Sequence, residues 1–486
     1  MLDVRIVGID FGTSNSTVGY PTEFGPQLIK IEGDHLNIPS AIFYNLENPP
    51  IIPLKNLVQT EIADKKKEIT TASKSSKSSK NSKKKLQSDQ KAVMPDAKPI
   101  FQSNPREKYK IQFGREAINA YINHSEGRLL RSLKSILGSS LINESTQIGY
   151  EQISFKEIIG KFIKHLKKKT EDHLCSEIEF VVIGRPVWFV DEDPDADRLA
   201  QDQLESIVLD CGFKCVFFQY EPIAAALDYE QRITREELAL IIDIGGGTSD
   251  FSIVRVSPTQ HLKSDRKLDI LANTGVHIGG TDLDRQLSIG QFMQHLGYKT
   301  RQRIRSELEL PVSCFYDLAT WYKIALLYNQ KTMLILKELH SIAEKPDLIN
   351  RFIKVIHEKN GHRLAGDIEM GKILLSDKES IDLNMDYIEK ELTVSLTRKS
   401  FEENIVRERE QIVNSIQKCL KEAQVTTEEI NTIFLTGGTT AIPSILSSCK
   451  SLIPNARLVE GDRFGSVGTG LAIHAGILSE SIYYLI

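Results

Sequence analysis

One short pattern occurs twice in this chain, far apart, and it constrains the fold more than anything else. Near the N-terminus Ile6-Val7-Gly8-Ile9-Asp10 runs into Phe11-Gly12-Thr13-Ser14-Asn15-Ser16 and out again through Thr17-Val18-Gly19-Tyr20. Much later Leu240-Ile241-Ile242-Asp243-Ile244 runs into Gly245-Gly246-Gly247-Thr248-Ser249-Asp250 and out through Phe251-Ser252-Ile253-Val254. Each reads as a buried strand, a tight polar turn and a second strand, with a carboxylate at the end of the first strand. A third segment, Asn431–Ile445, sends another strand into Gly437-Gly438-Thr439. The three segments imply two similar sheet-bearing halves that face one cleft.

The turn chemistry suits a polyphosphate. Glycine lets backbone N–H groups approach phosphate without interference from a Cβ, and Thr13, Ser14 and Thr248 can donate hydroxyls to its oxygens. A carboxylate beside phosphate is repulsive by itself. Asp10 and Asp243 therefore make sense if Mg²⁺ with its water shell sits between them and the phosphates.

These residues resemble the phosphate-binding hairpins of the actin-like ATPase superfamily, and in detail the nucleotide-binding domain of DnaK-type heat-shock-70 chaperones. The likeness continues through Gln219-Tyr220-Glu221-Pro222-Ile223-Ala224-Ala225-Ala226-Leu227, similar to the family's connecting segment, and Ile278-Gly279-Gly280-Thr281-Asp282-Leu283-Asp284, similar to the loop after its second phosphate hairpin. Phe434-Leu435-Thr436-Gly437-Gly438-Thr439-Thr440-Ala441-Ile442-Pro443 resembles its adenosine motif. Five motifs stand in the family order across most of the chain.

The resemblance implies a set of roles. Leu133-Lys134-Ser135-Ile136-Leu137-Gly138 is similar to the family segment bearing the catalytic lysine, which assigns that role to Lys134. The stretch Arg128–Gly138 is itself expected to be a short helix stopped by Gly138. Glu221, ahead of a proline suited to a first helical turn, is expected to order the metal's water and the nucleophile, with Asp250 as proton acceptor and Thr248 beside it. The phosphate and ribose set comprises Gly12, Thr13, Ser14, Asn15, Gly245, Gly246, Gly247, Thr248, Gly279, Gly280, Thr281, Gly437, Gly438 and Thr439, with Asp10 and Asp243 toward the metal. Gly366-Asp367-Ile368-Glu369-Met370-Gly371-Lys372 matches P-loop spacing but lacks the following Ser or Thr and a preceding strand. It reads instead as part of a helix, His362 to Ser376, whose Glu369, Lys372 and Ser376 share a face and resemble the family's adenosine-holding residues. Two positions depart from the family: Ile373 and Ala441 stand where arginines sandwich adenine, which implies weakened adenine binding.

Val181 to Phe189 reads as a buried strand ended by Pro186, similar to the family's proline hinge, and Arg198 falls where the family has an arginine that reports nucleotide state. The chain ends at Ile486, soon after an expected helix Val467–Leu478, so no peptide-binding domain is expected to follow.

Composition agrees with a soluble two-lobed protein. At 486 residues and 41% hydrophobic content the chain can build two cores, and a net charge of −4 argues against a general nucleic-acid or membrane-surface binder. No apolar run has the length of a membrane span, no secretory leader is apparent, and 6 cysteines do not form a disulfide framework, which favours a cytoplasmic location. Cys211 and Cys215 flank a helix-to-strand turn at Gly212 and read as core thiols rather than metal ligands. Residues 64 to 92, rich in Lys and Ser, read as a solvated basic insertion, with docking to an acidic partner, membrane lipid or nucleic acid as the alternative. The stretch from Glu307 to Glu358 reads as helical and core-packed, or else as an apolar groove for a partner.

The expected architecture is α/β, with two ribonuclease-H-like lobes around an ATP cleft: residues 1–234 and 462–486 in one lobe, 235–461 in the other. Expected cofactors are ATP or ADP and Mg²⁺, and expected partners are protein clients or co-chaperones. The function implied by the resemblance is a slow, chaperone-like ATPase. A nucleotide-gated scaffold with little turnover, a filament-forming ATPase and, less favoured, a sugar kinase share the fold.

Overall fold

The computed structural model describes residues 5–46, 109–123, 126–190, 193–260, 263, 265–462 and 465–483. The basic insertion at 64 to 92 lies outside the described residues. Two sheets dominate, and they follow one plan. In the first, Ile6–Phe11 pairs in parallel with Phe180–Arg185, which pairs in parallel with Cys215–Tyr220; on its other side it pairs antiparallel with Asn15–Thr22, followed by Gly25–Leu28. Asn37–Pro39 adds a sixth strand against Asn15–Thr22. In the second, Glu237–Ile244 pairs in parallel with Thr432–Thr436, then Arg457–Glu460, and antiparallel with Ser249–Val256, then Ile270–Val276. Hence the repeated sequence pattern is a repeated hairpin with the same neighbours in both lobes. The fold is the two-lobed α/β architecture expected.

Central strands buried on both faces carry continuous apolar runs, and Val7, Ile9, Ile242 and Ile244 are buried accordingly. One apolar cluster fills the first half around Phe11, Phe162 and Ile183, and a larger one fills the second around Phe251, Phe315 and Phe352. A third lies between the sheets: the helix Glu221–Glu230 and the helix Ser466–Tyr483 pack Ala224, Leu227 and Leu471 against Val182, Ile241 and Phe434. These two helices, contributed by distant parts of the chain, join both sheets. The terminal helix is longer at both ends than the expected Val467–Leu478.

One expectation fails. Arg128–Gly138 is not a helix: Gly127–Arg131 is a strand paired antiparallel with Ala41–Asn45, and only Leu133–Ile136 forms a single 3₁₀ turn. The edge of a neighbouring sheet offers Leu129 and Leu130 more than local helix propensity does, and Ser132 at φ 57° ends the strand abruptly. The stretch Glu307–Glu358 is largely helical, as expected, but in several pieces. It breaks into Ser313–Leu318, a 3₁₀ segment Trp321–Leu327, Gln330–Ile342 and Pro346–His357, with Pro346 opening the last. Its Phe315, Leu336 and Phe352 are core, as the packing alternative required, whereas Tyr322, Leu326 and Leu334 are exposed.

The thiol reading of Cys211 and Cys215 stands. The helix Pro194–Asp210 turns at Gly212 (φ 91°) into Cys215–Tyr220, both cysteines are free, and burial pushes the Cys211 thiol up to about 11. Among the described residues no helix is long and apolar enough to cross a membrane.

Candidate functional site

The strand ends converge on a cavity of about 640 Å³, within the range of small-molecule sites. Its wall includes Asp10 and the turn Gly12 to Asn15 from one lobe, Asp243 and the turn Gly245 to Thr248 from the other, and Gly437 to Thr439 at the third strand end. The two turns approach so closely that a Cβ on Gly246 would stand 2.0 Å from the Ser14 hydroxyl oxygen. Any larger residue there would force the Ser14 side chain to turn away. Register sets the carboxylates: Asp243 sits opposite Asp250 in the hairpin and beside Thr436 on its parallel neighbour.

The second turn is braced from behind. Gly280 and Thr281 donate their backbone N–H groups to the Gly245 and Gly246 carbonyls at 3.0 and 2.8 Å. The Thr281 hydroxyl also donates to the Gly246 carbonyl (2.8 Å), and the Thr439 hydroxyl to the Gly245 carbonyl (3.1 Å). Thus the Gly279–Thr281 loop and Thr439 hold the Gly245 and Gly246 carbonyls, while the Gly245 N–H closes the turn on the Thr248 carbonyl at 2.9 Å.

Lys134, Glu221, Asp10, Asp243 and Asp250 form one electrostatic unit. The Lys134 ammonium donates to Glu221 Oε1, and both side chains are largely buried. Removal from water raises Asp10 to about 7, with Glu221 adding to the rise and Lys134 opposing it. The same cause raises Asp243 to about 8, reinforced by Asp250, Glu221 and Asp10 and opposed by Lys134. Burial is also the largest influence on Lys134 and pulls it down, but Glu221, Asp10 and Asp243 together outweigh it, so the ammonium is held charged. Thr248 donates its hydroxyl to Asp250 at 3.2 Å. Clustered carboxyls with strongly perturbed pKa values inside a cavity are the mark of a functional site. Four acids thus surround one lysine.

Comparison with known proteins agrees with this geometry. The family model described as Hsp70 protein matches residues 108–337 and 353–483, well over half of the chain. The chain belongs to the Hsp70 protein family. It is 28% identical to "Chaperone protein DnaK" of Thermosipho melanesiensis over 76% of this chain and 52% of that protein. It is 25% identical to "Iron-sulfur cluster biogenesis chaperone, mitochondrial" of Saccharomyces cerevisiae over 99% of this chain and 60% of that protein. The chain therefore spans between half and three fifths of the length of these relatives.

Another part of the cavity wall is the helix Gly361–Asp377, so the P-loop spacing within it is indeed helical. Glu369, Lys372, Ile373 and Ser376 all line the cavity, with Ala441 opposite. Lys372, however, is engaged: its ammonium donates to the Gly280 carbonyl at 2.9 Å and pairs with Asp284 at 2.8 Å. Lys372 ties the helix to the braced loop rather than to Glu369, which lies three residues before it.

Arg131 was legible only as a polar residue in an apolar stretch, yet it is central. From the first lobe it lies over the ring of Trp321 at 4.5 Å, within the field of Glu369 and Asp284 on the opposite wall. Beside it Tyr121 meets His362 edge-on at 4.8 Å, and Trp321 meets the same ring at 4.9 Å. Arg131 and Trp321 of this cluster line the cavity. The strand Phe180–Arg185 ends before Pro186 as expected, but Arg198 is exposed, and it is Arg185 that is buried, held by Asp197 at 2.7 Å and by Gln201.

Proposed function

We propose that the cavity binds ATP and ADP with Mg²⁺ and that the protein is a slow, chaperone-like ATPase whose nucleotide state gates a partner or client. What carries the reading is the meeting of Asp10 and Asp243, one from each lobe, in a single cavity flanked by two glycine turns. The donor set fits the metal. Among the described residues no three His, Cys, Asp or Glu side chains stand close enough to hold an ion by themselves. Mg²⁺ keeps most of its waters and takes one or two carboxylates plus phosphate oxygens, which a pair of opposed aspartates supplies. When bound, it would neutralise the phosphates that those carboxylates otherwise repel.

The chain's own groups have distinct tasks under this reading. The glycine turns present N–H groups to phosphate oxygens. Lys134, charged and confined, exchanges Glu221 for the transferring phosphoryl and stabilises its charge; Glu221, released, orients water, and Asp250 with Thr248 receives its proton. Its similarity to a DnaK chaperone and to an iron–sulfur cluster biogenesis chaperone supports a chaperone role. Weak turnover in a nucleotide-gated scaffold is the second reading, favoured by Ile373 and Ala441 at the base end.

Calorimetric titration of the whole chain with Mg·ADP and Mg·ATP should give saturable heat that chelation of the metal strongly reduces. No heat with either nucleotide at millimolar concentration would overturn the proposal. Phosphate release from the same sample separates the ATPase from the scaffold.

A further inference from the structure

We propose that Ser252 and Asn273 are positioning residues for the proposed hydrolysis, acting on Asp250 through one water bound in a small chamber that adjoins the nucleotide cavity. The inference rests on the ATPase reading above and deepens it.

The chamber has a volume of about 20 Å³ and shares Glu221, Asp243, Asp250 and Thr436 with the nucleotide cavity. Side chains two apart on a strand fall on one face of a sheet, so Ile241 follows Asp243 into this chamber and Ser252 follows Asp250. The helix Glu221–Glu230 covers the same face with Pro222 and Ala225. Further along, that face is apolar: Ile241 and Val254 belong to the cluster that packs between the sheets. Ser252 stands at its border and is only 2% exposed. A hydroxyl buried there is costly unless it is hydrogen-bonded.

Asn273 partners it in one direction only. It sits opposite Ser252 in the antiparallel register, and its Nδ2 donates to Ser252 Oγ at 2.8 Å and to the Phe251 carbonyl at 3.4 Å. A carbonyl only accepts, so the contact with Phe251 fixes which end of the amide faces the strand, and Ser252 is its acceptor. The Ser252 proton is thereby directed away from Asn273, and among the described residues it meets no acceptor. Asp250 is the carboxylate two residues back on the same face, a strand spacing of about 6.6 Å. That separation suits two hydrogen bonds of about 2.8 Å in series through one water. The volume agrees, since a chamber of at least about 10–15 Å³ with two or more polar partners holds a water. Such a water accepts from Ser252 and donates to Asp250, while Asp250 Oδ2 takes the Thr248 hydroxyl at 3.2 Å. Held at two points, the carboxylate keeps the orientation in which it can receive a proton from the nucleophile.

The test is single-turnover phosphate release beside calorimetric Mg·ATP affinity for the full chain, comparing wild type, Ser252→Ala, Asn273→Ala and the double variant. Ser252→Ala should slow release about tenfold and leave Mg·ATP affinity within about twofold, a split that a general loss of structure would not produce. Asn273→Ala should slow release less, because the hydroxyl stays but loses its fixed direction. Since Asn273 acts through Ser252, the double variant should be no slower than Ser252→Ala alone. Unchanged release in Ser252→Ala, losses that multiply in the double variant, or affinity and melting temperature that fall in step with release would each overturn the inference. A crystal structure of the wild type should show an ordered water within about 3 Å of Ser252 Oγ and an Asp250 oxygen, and a well-defined chamber without one would also overturn it. A wild type that releases no phosphate removes the ATPase reading and takes this inference with it. Release that is insensitive to Ser252 removes only the inference.

Discussion

Lys134 shows how much a single side chain owes to its surroundings. Its spacing in the sequence suits an exposed helical lysine, but the strand before it and the turn around it bury the ammonium against Glu221, beside Asp10 and Asp243. Under the proposed function, that confined charge would stabilise a transferring phosphoryl group. Lys134→Ala should leave Mg·nucleotide affinity within a few-fold and lower phosphate release by about 10²–10³-fold, the size of one preorganised electrostatic donor. Single-turnover assay beside calorimetry reads both quantities, and unchanged turnover would remove Lys134 from the catalytic role. Asp10 and Asp243 were legible from sequence because each follows a buried strand and precedes glycine. Arg131 was not, because a cation–π partner from Trp321 in the other lobe has no sequence spacing to reveal it.

At the scale of elements, the failure of local reading has one cause. Gly127–Arg131 has apolar residues that suit a helix turn, and becomes a strand because Ala41–Asn45 supplies a ladder for it. The result places Arg131 on the cavity wall, where it meets the 3₁₀ segment Trp321–Leu327. Trp321→Ala removes the partner of Arg131 and of His362 together, so bound nucleotide should leave several-fold faster, in keeping with ~0.5–2 kcal/mol for such contacts, with association little changed. Stopped-flow displacement of a fluorescent ADP separates the two rates. Deeper in the same lobe, Phe315 is fully buried and meets Phe352 at 4.9 Å between centroids. Phe315→Ala should cost about 3–5 kcal/mol, seen as a lower urea midpoint, because a cavity of that size cannot collapse around fixed helices.

The whole molecule carries an unusual balance of buried titrating groups. Burial pulls His165, His362 and His474 from 6.5 to about 4. The unfolded chain protonates them near 6.5 and the native protein only near 4, so the stability they contribute is complete above about 6.5 and is lost as pH falls toward 4. Asp10 and Asp243 act oppositely. Their native carboxyls hold protons up to about 7 and about 8, against 3.8 unfolded, so their contribution is fully present at low pH and disappears as pH rises through those values. Metal-free protein should therefore melt highest near pH 6.5, lower at pH 5 and lower at pH 8.5. Asp243→Asn should flatten the alkaline side and His474→Gln the acid side; a monotonic profile would contradict this balance.

By itself, the sequence determined the two hairpins, their acidic strand ends, the order of the motifs and the helical nature of the P-loop mimic, since each depends on contacts between residues near in the chain. Only the tertiary structure decided which strand recruits residues 127–131, how the turns meet at Gly246, and which charges face Lys134 and Arg131. Those depend on groups brought together from opposite lobes, and a field or a van der Waals contact acts through space without regard to distance along the chain.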